Sequence, residues 1–227
     1  LAETKTYSNA KMLLHRTFTQ NENDPAKGWN SVILPVDMTE AQVTEAFGEG
    51  TQIAEFDKVM DNWIHFSTAQ ADDNQVILHK NTPYIINPTK EPYGNYTYTI
   101  KGETNTLEGP VYVANGINYS DETGNLSDHH TGSEQAGMYF YGSYAGSSVV
   151  TAGSYMFSKG NLVHTNKTHS VKPYRCWLVE AAPSSKSYVL SIDGAHGDAT
   201  GVNVVEENHQ TAGTGIYSID GIRMNTN

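Results

Sequence analysis

Short segments in which apolar and polar residues alternate run through most of the chain. In residues 96–100, Tyr96, Tyr98 and Ile100 occupy every second position, and threonines fill the positions between them. Successive side chains of a strand point to opposite faces, so this pattern predicts a half-buried β-strand. Comparable runs predict strands at residues 63–66, 76–78, 84–86, 111–113, 138–141, 155–157, 174–179, 188–192 and 202–205.

Ten or more short strands separated by turn residues predict an all-β fold, either a β-sandwich or a partly closed barrel of antiparallel strands. One short helix is predicted at about residues 39–47. Thr39 and Gln42 have the spacing of a capping box, and three apolar residues follow at helical spacing. Gly48 is predicted to end this helix in the left-handed conformation.

The chain is predicted to divide into a main β domain at residues 1–182 and a C-terminal part at residues 183–227. The second part begins with a serine-rich connector and continues into strands that pack on the main body or form a small tail. Residues 115–137 contain few core-forming side chains, which predicts a long loop or a decorated hairpin.

The charge of the chain excludes some partners. Asp and Glu number 25 against 14 Lys and Arg, for a net charge of −11, and the basic residues form no sequence cluster. Phosphate backbones are bound by clustered Lys and Arg, so we expect no nucleic-acid partner. The best apolar run, residues 32–36, is far too short to cross a bilayer, so we expect no membrane-spanning segment.

The sequence shows no set of residues for nucleophilic catalysis. Cys176 is the single cysteine and lies in a predicted strand, which favours a buried thiol packed as a small apolar group over a catalytic thiolate. The run at residues 142–146 places its serine one position away from the nucleophile-elbow pattern. We therefore expect neither an enzyme nor a cofactor.

A metal site finds little support in the sequence. Asp121, Glu122 and Asp128 are weak candidates for calcium ligands in the predicted loop, because their spacing fails the EF-hand pattern. A solvated loop is the favoured interpretation.

Among the possible ligands, the sequence favours a sugar over a metal ion. Aromatic rings stack on pyranose rings, and a β scaffold can present them at its surface. Five tyrosines are the candidate platforms: Tyr139, Tyr141, Tyr144, Tyr96 and Tyr98. The alternative is that these rings pack against the sheets with only their hydroxyls in water.

Several segments, in order, resemble a module of secreted and cell-surface proteins of gut Bacteroidetes, the relatives of Bacteroides and Prevotella. The resembling segments are HRTF at 15–18, WNSVILPV at 29–36, AFGEGT at 46–51, NTPYII at 81–86, FYGSY at 140–144, AGSYMFS at 152–158, KPYRCW at 172–177 and GIYSIDGIR at 215–223. The last segment is similar to the start of the C-terminal β segment of that family.

The resemblance implies an extracellular, cell-surface or periplasmic protein, and relatives of this type are described as adhesins of largely unknown activity. It implies no catalytic residue. The chain opens at Leu1, which fits either a mature protein after signal removal or an excised fragment.

The leading hypothesis is thus a non-enzymatic exported surface module, structural or adhesive, which binds a glycan or a surface protein through loops and exposed tyrosines. The alternative is a carbohydrate-active hydrolase with a carboxylate pair in a cleft.

Overall fold

Strands account for nearly all of the regular structure. The computed structural model describes residues 5–20, 28–120, 130–135, 137–144, 148–182, 188–193, 205–206, 216–217 and 223–224. The elements are β1 (Thr6–His15), β2 (Asn30–Val32), β3 (Met38–Thr39), α1 (Glu40–Phe47), β4 (Gln52–Met60), β5 (Trp63–Thr68), β6 (Val76–Leu78), β7 (Tyr84–Asn87), β8 (Tyr93–Ile100), β9 (Glu103–Ser120), β10 (His130–Gln135), β11 (Met138–Ser143), β12 (Ser148–Val150), β13 (Tyr155–Ser158), β14 (Asn161–His164), β15 (His169–Val171), β16 (Arg175–Glu180), β17 (Val189–Ile192), β18 (Val205–Glu206), β19 (Ile216–Tyr217) and β20 (Arg223–Met224).

Three sheets organise these strands. A three-stranded sheet has the order β1-β9-β8, a five-stranded sheet the order β17-β5-β4-β7-β2, and a six-stranded sheet the order β10-β11-β16-β13-β14-β18. Three further pairs are β3-β6, β12-β15 and β19-β20. Most neighbours are antiparallel, whereas β17 runs parallel to β5 and β18 runs parallel to β14. The predicted all-β class with one short helix is confirmed.

The main core lies between the five-stranded and the six-stranded sheets. Ile64 and Phe66 of β5 meet Phe140 of β11 and Leu178 of β16, and all four are fully buried. The rings of Phe66 and Phe140 lie edge to face with centroids 5.4 Å apart, an arrangement that the ring quadrupoles favour. Two sheets packed in this way form a β-sandwich.

A second core covers the opposite face of the five-stranded sheet. Ile53 of β4 and Ile86 of β7 pack there against Val43 and Phe47 of α1 and Tyr112 of β9. The helix and the three-stranded sheet therefore form a third layer. The five-stranded sheet thus has buried apolar side chains on both of its faces.

Local signals explain the helix. The Thr39 side chain accepts a hydrogen bond from the backbone N–H of Gln42, and the Gln42 side chain accepts one from the backbone N–H of Thr39, as predicted for a capping box. Within the described residues, no helix is long and apolar enough to cross a bilayer.

The predicted left-handed end at Gly48 is wrong. Gly48 has φ 105° and ψ 156°, a positive-φ conformation that favours glycine but lies outside the left-handed helical region. The backbone N–H groups of Thr89 and Lys90 donate to the carbonyl of Phe47 and satisfy the end of the helix in place of a tighter turn. A Cβ at Gly48 would lie 2.7 Å from the Lys90 nitrogen, so the crossing segment needs a glycine there.

Of the two predictions for residues 115–137, a long loop or a decorated hairpin, the long loop is wrong where the structure describes the segment. Strand β9 continues to Ser120 because it pairs with β1, and β10 pairs with β11 along its whole length. The sequence between them, residues 121–129, lies outside the described residues.

Part of the predicted C-terminal region joins the main body. Strand β17 extends the five-stranded sheet at the edge of β5. The connector at residues 183–187 lies outside the described residues. The division at residue 182 stays a prediction.

Cys176 is a buried thiol, as predicted. Its side chain lies in the main core with 3% of its surface exposed, and its backbone N–H donates to Ser31 Oγ at 2.9 Å. Burial raises the pKa of the thiol more than the nearby charge of Arg16 lowers it. The group is therefore neutral and shielded at neutral pH.

Gly142 lies directly against the Ile33 side chain in the main core. It is buried in β11, and a Cβ built there would lie 2.6 Å from Cδ1 and 2.9 Å from Cβ of Ile33. The bare glycine backbone thus makes room for the Ile33 side chain at the end of β2.

We expect Gly142→Ala to destabilise the protein by about 1–3 kcal/mol, because the added methyl overpacks the core against Ile33. Urea unfolding measures the change. Gly94→Ala is the matched control, because Gly94 is exposed on β8 with open space around it. In an Ile33→Ala background the cost of Gly142→Ala should shrink, and an unchanged cost would refute this contact as its cause.

We expect Cys176 of the native protein to react with a thiol reagent at least about tenfold more slowly than the same protein in denaturant, because the sulfur is buried and protonated. Absorbance of the released thiolate follows the reaction. Rapid modification in native buffer would overturn the assignment of residues 175–180 to a buried strand.

Candidate functional site

The five candidate tyrosines fall into three different environments. Tyr139 and Tyr141 lie on β11, Tyr144 follows that strand directly, and Tyr96 and Tyr98 lie on β8. Strand β8 belongs to the three-stranded sheet and β11 to the six-stranded sheet, on opposite sides of the five-stranded sheet. The structure therefore does not gather the five rings into one surface.

Tyr139 and Tyr141 form a stacked pair on the face of the six-stranded sheet that points away from the main core and that β12 and β15 partly cover. Both side chains are half-buried, their centroids are 5.5 Å apart, and their planes differ by only 7°. Tyr141 also contacts the buried Trp177 of the neighbouring strand, with centroids 6.3 Å apart. This contact fixes one end of the pair, while part of each ring stays in solvent.

The prediction that Tyr144 is an exposed platform is wrong. Its side chain is 7% exposed and lies in the main core. Its hydroxyl donates to the Leu34 carbonyl at 2.7 Å and lies 2.9 Å from Asn81 Oδ1, and burial raises its pKa. Tyr144 is a packing residue with a satisfied hydroxyl.

Tyr96 and Tyr98 share one face of the β8–β9 ribbon, as their spacing predicts. Both are half-buried. Lys11 donates to the Tyr96 hydroxyl at 3.0 Å, and Tyr93 packs edge-on against the Tyr96 ring with centroids 5.2 Å apart. These contacts fix the Tyr96 side chain against its neighbours.

The metal candidates Asp121, Glu122 and Asp128 lie outside the described residues. In the part of the chain that the structure describes, no three His, Cys, Asp or Glu side chains are grouped to hold a metal ion. The calcium hypothesis thus stays a prediction without structural support.

A basic cleft was missed by the sequence analysis. It consists of two adjoining cavities of about 370 Å³ and 310 Å³, which share Thr17, Lys172 and Arg175 as lining residues. Lys159 lines the larger cavity and Arg16 the smaller one. Among the described residues, no aspartate or glutamate lines either cavity.

Two guanidinium groups of like charge lie beside this cleft. Arg16 is 5% exposed, and its terminal nitrogens donate to the backbone carbonyls of Ser31 and Tyr174. Burial, and after it the positive charge of Arg175, lowers the pKa of Arg16 to about 9, so the group stays cationic at neutral pH. Burial also lowers the pKa of the half-buried Arg175.

The backbone before Arg175 adopts an unusual conformation. Tyr174 has φ 61°, a region that bulky residues rarely occupy. Its N–H donates to the Ser143 carbonyl at 2.7 Å, and its carbonyl accepts from Arg16 and from the Ile33 N–H. The surrounding contacts hold this strained residue in place. They therefore also fix the position of Arg175, the first residue of β16. Strain of this kind often accompanies binding sites.

The sequence offers only a weak signal for the cleft. Its basic residues come from positions near 16, 159 and 175, so no local cluster marks it. The available signal is the rarity of arginine in this chain and its placement within apolar strand segments, where a buried charge needs a reason.

The chain matches no known protein family, no curated protein and no solved structure.

Proposed function

We propose that the protein is a non-enzymatic, exported surface module with an adhesive role, which binds a glycan through Tyr139 and Tyr141. The observation that supports this proposal best is the stacked, partly exposed pair of rings on the face of the six-stranded sheet away from the main core. The extracellular, cell-surface or periplasmic location belongs to the same proposal. It depends on the resemblance of the sequence to Bacteroidetes surface modules.

The chemistry of the pair suits a sugar. The C–H groups of a pyranose pack against the faces of aromatic rings, while the tyrosine hydroxyls can bond to sugar hydroxyls. The two rings need little ordering on binding, because each has few rotatable bonds and Tyr141 already contacts Trp177.

The hydrolase alternative has no specific observation in its favour. Three cavities formed by described residues are lined without a carboxylate, including an apolar groove beside Tyr7 and Met12. A glycosidase needs two carboxyl groups facing one bond. Incubation of any bound glycan with the protein, followed by measurement of new reducing ends, tests this alternative directly.

We expect a glycan array to show retention of at least one oligosaccharide by the purified protein. Tyr139→Ala and Tyr141→Ala should each weaken that binding roughly threefold to tenfold, because each removes one stacking surface. Affinity is measured by titration calorimetry with the retained oligosaccharide.

Tyr98→Ala is the matched control, because it removes a half-buried tyrosine from a different sheet. An equal loss in the control would contradict the proposal. An array without any bound glycan would also contradict it.

A further inference from the structure

We propose that the basic cleft is a binding site for a small ligand with an oxyanion group, namely a carboxylate, sulfate or phosphate. Arg175 is the principal contact and Lys172 the second. Neither Tyr139 nor Tyr141 lines the cleft, so this inference does not depend on the proposed glycan surface.

The cleft carries positive charge although the chain as a whole is acidic. The chain has a net charge of −11, yet Lys172 and Arg175 line both cavities, and among the described residues no aspartate or glutamate lines either one. Arg16 and Arg175 repel one another, since the charge of Arg175 lowers the pKa of Arg16, and the burial of Arg16 weakens the screening by water. An anion bound between them would remove that repulsion.

Several of the basic side chains at the cleft have hydrogen-bond donors without acceptors among the described residues. Among the described residues, the side chains of Arg175 and Lys172 make no hydrogen bond and no ion pair. The buried Arg16 has no carboxylate partner in that part of the chain, and its Nε has no hydrogen-bond acceptor there. A half-buried guanidinium without an acceptor is costly, whereas a carboxylate or phosphate can accept two parallel bonds from it.

Buried contacts hold the backbone at Arg175 in place. Arg16 holds the carbonyls of Ser31 and Tyr174, and the left-handed Tyr174 directly precedes Arg175. The backbone of Arg175 is thus held by buried contacts, and the residue lines both cavities. Preorganisation of this type reduces the entropy lost when a ligand binds.

The size of the cleft limits the ligand. Cavities of about 370 Å³ and 310 Å³ are at the lower end of the range for small-molecule sites. The serine and threonine hydroxyls beside the basic groups, such as Thr17 and Ser158, can bond to a polar ligand body. A charged monosaccharide, or the charged end of a longer chain, fits this combination.

The test is a titration of the full chain, followed by NMR or calorimetry, with inorganic phosphate, sulfate, glucuronate and glucose. Ionic strength is held constant with sodium chloride, because screening alone would change the affinity. We expect saturable binding of at least one oxyanion and much weaker binding of glucose. Absence of binding by all three oxyanions would overturn the proposal, as would glucose binding as tight as that of glucuronate.

Two outcomes separate the sources of the oxyanion. Tighter binding of glucuronate than of inorganic phosphate would support an acidic sugar as the ligand. The reverse order would support a phosphorylated or sulfated compound. Both outcomes support an oxyanion site.

Variants locate the binding. Arg175→Gln should weaken the affinity about tenfold or more, and Lys172→Gln several-fold, because each removes a charged donor. Lys167→Gln is the matched control, since it removes the same charge from an exposed loop residue that does not line the cleft. Lys172 is exposed, so its variant tests the site even if Arg175→Gln folds poorly. Unchanged affinity in Lys172→Gln, or an equal loss in Lys167→Gln, would refute the assignment.

Discussion

The fold depends on a central sheet that must be covered on both faces. Adjacent residues of β7 show the constraint most clearly, because Ile85 packs toward the six-stranded sheet while Tyr84 and Ile86 pack toward the helix. A sheet of this kind cannot face water on either side without exposing a large apolar area. The six-stranded sheet, the helix and the three-stranded sheet are therefore required together. The outer surfaces of those layers are where binding groups can be placed.

The same constraint explains which strands could be predicted from the sequence. Strand β8 has one face toward solvent, so Tyr96, Thr97 and Tyr98 alternate and reveal it. Strand β4 does not alternate cleanly, because a bulge between Phe56 and Lys58 shifts its register. The helix was predictable because its capping box depends on two residues three positions apart. The end at Gly48 was not, because a distant segment near Lys90 determines it.

The candidate sites were less predictable, because exposure and proximity depend on tertiary packing. Sequence spacing placed Tyr139 and Tyr141 on one face of a strand, which the structure shows. It could not reveal that Tyr144 turns into the core. The basic cleft brings together Arg16 and Arg175, which are far apart in sequence, through the hydrogen bond from Arg16 to Tyr174. A contact of that kind has no local signature.

The parallel pairing of β17 with β5 bears on the order of events during synthesis. The edge of β5 has no neighbour until residues 189–192 have left the ribosome, more than a hundred residues after β5 itself. Until then an unpaired strand edge, at which the chain could join another copy, remains open. Strand β17 thus covers the exposed edge of β5 late in synthesis. Separation of the nascent chain from other copies matters most before β17 has been made.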